Sequence, residues 1–253
     1  MSPDSVPKTV CVAVLLCLVA SMVVSAAAVA LRPIQDENRL LDKQAQVLRV
    51  AGLYEPGIDV AEAFQALEPK VLELATGEFT DQFDPYTFDD RQAANDITLS
   101  TPLEDDPASI RRQAKYVTVY LKRQAEGGGI SQVILPVHGY GLWSTLYGFM
   151  AIEADGNTVS GLIFYEHAET PGLGAEVDNP RWRNQWPGKK LRDDEGELEI
   201  TVAKTAPPAG EEYHVDALSG ATLTSNGVDN LVRFWMGERG FEPFLERVKA
   251  GEV

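Results

Sequence analysis

The sequence predicts an α+β protein, a largely antiparallel sheet flanked by helices, preceded by one N-terminal transmembrane helix. Three observations carry this. No charged residue falls between Thr9 and Leu31. Short segments rich in β-branched and aromatic residues recur between positions 116 and 204. Near the end, Val228, Leu231, Val232 and Trp235 fall at i, i+3, i+4 and i+7, the spacing of one buried helical stripe.

The apolar run comes first. A bilayer span needs about 20 residues, whereas signal-peptide cores usually run about 7–15. The length therefore favours a retained anchor over 9–31, and Ser25-Ala26-Ala27-Ala28 leaves a cleaved signal as the alternative. Lys8 and the amino terminus precede the run. Arg32 follows it, and then Asp36 and Glu37. This weak bias places residues 1–8 in the cytoplasm and the body outside.

Pro33 is expected to end the membrane helix. Asp36 then resembles an N-cap for a second helix carrying Leu40, Leu41, Ala45, Val47 and Leu48, stopped by Gly52. Asp59 is expected to cap a further helix through Leu67, terminated by Pro69. Residues 32–70 thus read as a helical neck, and 71–253 as the main domain.

Within that domain, Leu72, Leu74 and Phe79 suggest a short strand interrupted by Gly77. The acidic stretch 80–110 reads as a long excursion with a short helix at 89–95. Tyr116–Leu121 and Ile130–Val137 read as strands around a Gly127-Gly128-Gly129 turn. Leu146–Ala154 and Thr158–His167 read as a hairpin around Asp155-Gly156-Asn157. Gly196–Lys204 alternates Leu198, Ile200 and Val202, and Pro207 and Pro208 break it. A final helix over Glu242–Ala250 presents Phe244, Leu245 and Val248 to the body.

Composition excludes several functions. Lys+Arg 22 against Asp+Glu 38 leaves a net charge of −16, a poor match to a nucleic-acid backbone. Cys11 and Cys17 both lie in the apolar run. The rest of the chain therefore has no disulfide framework, Cys-ligated zinc or iron–sulfur site. His138, His167 and His214 lack metal-ligand spacing and read as surface or loop residues. No residue reads as a general base or nucleophile, so no catalytic residue and no metal ligand is assigned.

Three segments carry the chemistry that remains. Ser219-Gly220-Ala221-Thr222-Leu223-Thr224 places small residues and hydroxyls at the start of the Trp235 helix. Unpaired N–H groups there suit a phosphate. Taken alone, the segment is an ordinary Ser/Thr cap. Glu169-Thr170-Pro171-Gly172-Leu173-Gly174 turns after a strand. Its glycines can approach a flat ring, Leu173 offers an apolar face, and Glu169 a polar group. Alone, it is a surface turn. Gly139-Tyr140-Gly141-Leu142-Trp143-Ser144 puts an aromatic in a turn between strands. Such residues are mostly core or rim, and alternatively cover a ring. Lys204 lies shortly before Ser219–Thr224 and can place a positive charge near a bound group, or be simply solvated.

Together these segments resemble the FMN-binding domain family. With the membrane helix and the neck from Leu40 to Leu53, the chain resembles the family of C subunits of the bacterial Na⁺-translocating NADH:quinone reductases. The likeness runs through Gly141–Ser144, Asp155–Leu162, Glu169–Gly174, Asn179–Arg183, Gln185-Trp186 and Ser219–Val228. It implies FMN held by a phosphoester on Thr222 and attached by a separate flavin transferase. It also implies a single-pass inner-membrane protein with its C-terminal domain in the periplasm, relaying electrons among the other subunits of the complex. Ser219, Gly220, Ala221 and Thr224 would cradle the phosphate. Glu169, Thr170, Gly172, Leu173 and Gly174 would line the ring. Two other functions stay open: a flavoprotein subunit of the related ion-pumping ferredoxin:NAD⁺ reductases, and an anchored acidic binding protein without cofactor.

Overall fold

The computed structural model describes residues 5–124, 128–208 and 210–253. Gly127 of the triglycine turn lies outside the described residues. The chain divides into two units, Met1–Lys43 and Gln44–Val253.

The first unit is the greater part of one helix, α1 (Val6–Val50). By length and composition α1 can cross a membrane, with a mean hydropathy of 2.7 over its most apolar stretch. Pro33 does not end it, and Asp36 lies inside it rather than capping a new helix. A proline in a helix interior removes one hydrogen bond and costs about 3 kcal/mol. The long helical runs on both sides of Pro33 outweigh that local cost. Gly52 does stop the helix: Leu53 N–H reaches back to the Leu48 carbonyl and Gly52 N–H to Arg49.

The second unit begins with the last turns of α1. Val47, Leu48, Val50 and Ala51 are buried there, within the segment expected to be the neck. Asp59 then caps α2 (Val60–Ala63), accepting from the N–H groups of Ala61 and Glu62. The expected helix stops early, at a 3₁₀ turn (Phe64–Ala66), and β1 (Leu67–Glu73) follows. Pro69 lies inside β1 instead of terminating a helix. It is tolerated because β2 (Glu78–Thr80) pairs only with Val71–Glu73, leaving β1 an edge at Pro69.

The acidic excursion contains α3 (Asp90–Asn95), as expected, and also a ladder of β3 (Ser100–Pro102) with β4 (Arg112–Ala114). Then come β5 (Tyr116–Arg123), β6 (Ile130–Tyr140), β7 (Thr145–Glu153) and β8 (Val159–Glu166). They complete a six-stranded antiparallel sheet in the order β2-β1-β5-β6-β7-β8.

Alternation along the strands builds two cores. Val119, Leu121, Val133, Leu135, Met150, Ile152 and Leu162 face the larger one. It is completed by α5 (Thr222–Met236) and α6 (Glu242–Ala250). Tyr120, Ile134, Phe149, Ala151 and Ile163 face the smaller one, closed by Val47, Leu48 and Phe64.

Between β8 and α5 the chain forms α4 (Pro180–Arg183), β9 (Thr201–Ala203) and β10 (His214–Asp216). The strand expected over 196–204 shrinks to β9, because Leu198 turns away to bridge Arg192. β9 and β10 pair in parallel, while the other ladders among the described residues are antiparallel. His214 is buried in β10, not on a loop, and its Nε2 meets the Ala203 carbonyl at 2.9 Å. His138 also lies in a strand, β6.

Candidate functional site

The three singled-out segments meet at one end of the sheet. The first is the tip of the β6–β7 hairpin, closed by Gly141 N–H donating to the Ser144 carbonyl at 2.9 Å. The second leaves β8 and turns through Thr170-Pro171-Gly172-Leu173, with Leu173 N–H donating to the Thr170 carbonyl at 3.1 Å. Gly172 has φ +76°, which a side-chain-bearing residue rarely adopts. The third is Leu218-Ser219-Gly220-Ala221, where Ala221 N–H donates to Leu218 at 3.2 Å and Gly220 has φ +73°. α5 starts immediately afterwards, at Thr222.

Glu169 joins them. Its Oε1 accepts from the N–H groups of Leu142, Trp143 and Ser144 at 3.1, 2.9 and 3.3 Å. Its Oε2 accepts from the Thr224 hydroxyl at 2.7 Å. Both residues are buried. Burial alone would raise the Glu169 pKa. The Trp143 N–H, the Thr224 hydroxyl and the other two N–H groups outweigh it and hold the carboxyl below the usual range. Ser144 adds a further tie, its Oγ accepting from Ala168 N–H at 2.7 Å.

The start of α5 is built to stay open. Its N-cap is Ala221, with no side-chain cap. Among the described residues, the N–H groups of Thr222, Leu223 and Thr224 take no partner. Thr222 is exposed. Its hydroxyl therefore stands beside unpaired donors at the positive end of a helix. The turn before it is fastened by Ser225, whose Oγ accepts from Leu218 N–H at 2.9 Å and donates to the Ala221 carbonyl at 3.0 Å. From outside, Trp182 Nε1 donates to the Asp216 carbonyl at 2.8 Å, and Asp216 N–H donates to Gln185 Oε1 at 2.9 Å.

Large apolar side chains stand exposed on these turns. Trp143 is 64% exposed and Leu223 58%. Leu142, Leu173 and Tyr140 are exposed beside them in sequence or across the turns, and a Cβ on Gly220 would stand 3.3 Å from Leu173 Cδ2. Exposed large apolar side chains on neighbouring turns mark a binding surface.

The structure thus brings together Ser219, Gly220, Ala221, Thr222, Leu142, Trp143, Thr170, Gly172, Leu173 and Gly174. Three other residues are placed differently from their expected roles. The Glu169 carboxylate and Thr224 hydroxyl are engaged with each other, not turned toward a ligand. Lys204 is exposed just beyond β9, and among the described residues no hydrogen bond or ion pair joins it to the three turns. Sequence reasoning placed Tyr140 and Leu223 within its segments without a role of their own, and gave Ser225 no role. Leu223 carried a readable signal, an apolar residue off the buried stripe of its helix. Ser225 carried none.

Comparisons with known proteins place the chain in a family. The FMN-binding domain family matches residues 141–237, which contain all three turns. The chain is 53% identical to the NqrC-type subunit of the Na⁺-translocating NADH-quinone reductase of Yersinia pestis, covering 99% of this chain and 96% of the relative. It is 50% identical to the corresponding subunit of Pseudomonas aeruginosa, over 99% and 98%. The crystal structure of Shewanella oneidensis NqrC superposes with a TM-score of 0.78 at 36% identity, over 84% of this chain and 99% of that one. That of the corresponding subunit from Parabacteroides distasonis gives 0.63 at 28%, over 87% and 96%.

Proposed function

Because the chain belongs to the NqrC family of Na⁺-translocating NADH-quinone reductase subunits, we propose that it carries FMN covalently on Thr222 and relays electrons within that complex. The observation that supports the attachment is the uncapped start of α5, where an exposed threonine hydroxyl stands beside N–H groups without partners. A phosphate esterified to Thr222 Oγ would be met by those donors and by the helix dipole. Ser219, Gly220 and Ala221 form the turn around it. Leu142, Trp143 and Leu173, with Tyr140 and Leu223, supply the apolar surface for a flat ring.

FMN accepts one or two electrons, which suits a relay between single-electron carriers. This chain's own residues attach, orient and shield; none is positioned to turn over a substrate. Residues 9–31 anchor the protein in the bacterial inner membrane as a single span, with the body in the periplasm. The other subunits of the reductase deliver and remove electrons, ultimately to a quinone, and a separate flavin transferase makes the phosphoester.

Peptide mapping tests the attachment. Chain produced with the transferase stays yellow after denaturation, and one peptide containing Thr222 gains the mass of FMN less one water. A modified peptide without Thr222 overturns the assignment.

A further inference from the structure

Three turns distant in sequence close on a single carboxylate. Leu142, Trp143 and Ser144 donate to one oxygen of Glu169, and Thr224 to the other, across 55 residues of chain. Two glycines make room for it. A Cβ on Gly141 would stand 2.7 Å from Oε1, and one on Gly174 2.6 Å from Oε2. Four donors fill the carboxylate, so it has little left to offer a ligand. Yet it touches the hairpin tip that bears Leu142 and Trp143 and, two residues past Thr222, the first turn of α5.

We propose that Glu169 and Thr224 form a latch. Glu169 is a positioning residue that sets the first turn of α5, and with it Thr222, at a fixed offset from the ring-covering side chains of the hairpin tip. Every bond of the latch is made between this chain's own atoms. This rests on the FMN reading above. An ionised carboxylate holding four charge-assisted hydrogen bonds is a stiff connector. Thr224 is 1% exposed, so water cannot replace its hydroxyl as a donor. A role confined to packing would change stability and leave the geometry of the cofactor alone.

The test uses the full chain, produced with flavin transferase and purified in detergent. Thr224→Val and Thr224→Ala remove the donor, and Thr224→Ser keeps it. The readouts are the fraction of Thr222 bearing flavin by intact mass, the visible circular dichroism of the flavin, and thermal unfolding. The two donor-less variants are expected to lose several-fold in flavin occupancy and to show altered visible dichroism. Thr224→Ser is expected to return both toward wild type. Glu169→Gln offers an oxygen acceptor to the hairpin tip and an amide to Thr224, and is expected to fall between. A folded donor-less variant with wild-type occupancy and dichroism overturns the latch, whatever its melting temperature. If only one of the two donor-less variants folds, that variant decides; if neither does, unaltered dichroism in Glu169→Ala overturns it. A wild-type chain without flavin on Thr222 overturns instead the reading on which the latch rests.

Discussion

Trp235 gives its indole N–H to the carbonyl of His138 at 2.7 Å, and the two rings lie 5.0 Å apart. The contact ties the middle of the sheet to the helix that begins at Thr222. On its other face the His138 ring stacks on Tyr147 at 5.5 Å, and the Arg91 guanidinium lies 3.5 Å from the Tyr147 centroid. An imidazole so placed stays neutral. Burial, then the Arg91 charge, lower its pKa to about 4 against a smaller opposing effect of Asp106.

Between its ordinary value and about 4, the unfolded chain holds a proton on His138 that the folded chain does not. Stability from this residue is complete above the ordinary range near 6.5 and is lost as pH falls toward 4. The loss amounts to up to about 3 kcal/mol at roughly 1.4 kcal/mol per pH unit. Urea unfolding across pH 7 to 4 checks this. His138→Asn should flatten the slope, and an unchanged slope would contradict it.

Gly227 is the place where α5 meets the hairpin backbone. A Cβ there would strike the Tyr140 carbonyl oxygen and stand 3.0 Å from Gly141 Cα. Backbone cannot step aside as a flexible side chain can. Gly227→Ala is expected to destabilise by about 1–3 kcal/mol, although alanine favours a helix by about 1 kcal/mol over glycine. A raised urea midpoint would show that the helix and hairpin move apart freely.

Leu173→Asp probes the ring surface. Leu173 is exposed, so the chain itself should change by no more than about 0.5 kcal/mol. A charge against an apolar ring face should disturb the flavin spectrum and slow quinone reduction by the complex. NADH oxidation with artificial acceptors should persist. Equal loss of both activities in an assembled complex would place this flavin at NADH entry and end the relay reading.

The anchor is checked by fractionation. Full-length protein should stay in membranes through washes with high salt and should need detergent for release. N-terminal sequencing should begin at the start of the chain. A mature terminus near Val29 would mean a cleaved signal.

Local pattern was legible wherever one element decided the outcome. The alternation of β5 to β8 and the stripe of α5 follow from single strands and a single helix facing a core. Pro69 misled because Val60, Phe64 and Leu67 have helical spacing; pairing with Tyr116–Lys122 decides for a strand, and that is a long-range fact. Leu198 misled in the opposite sense, since alternation does not reveal that no partner strand waits beside it. At the site, the motif residues around Thr222 were visible in order along the chain. The bond between Glu169 and Thr224 was not, because hydrogen bonds between distant turns leave no periodic trace.

The uncapped start of α5 bears on the order of events in the life of the chain. The meander β5 to β8 joins neighbours through short connections and can pair as it emerges from synthesis. Thr222 follows much later in the chain. Its surroundings depend on Ser225, Glu169, Gln185 and the hairpin tip all being in place. A nascent or misfolded chain would offer only a threonine in a flexible peptide. Attachment at Thr222 would thus follow folding, and the yellow colour of the product would report a body already correctly built.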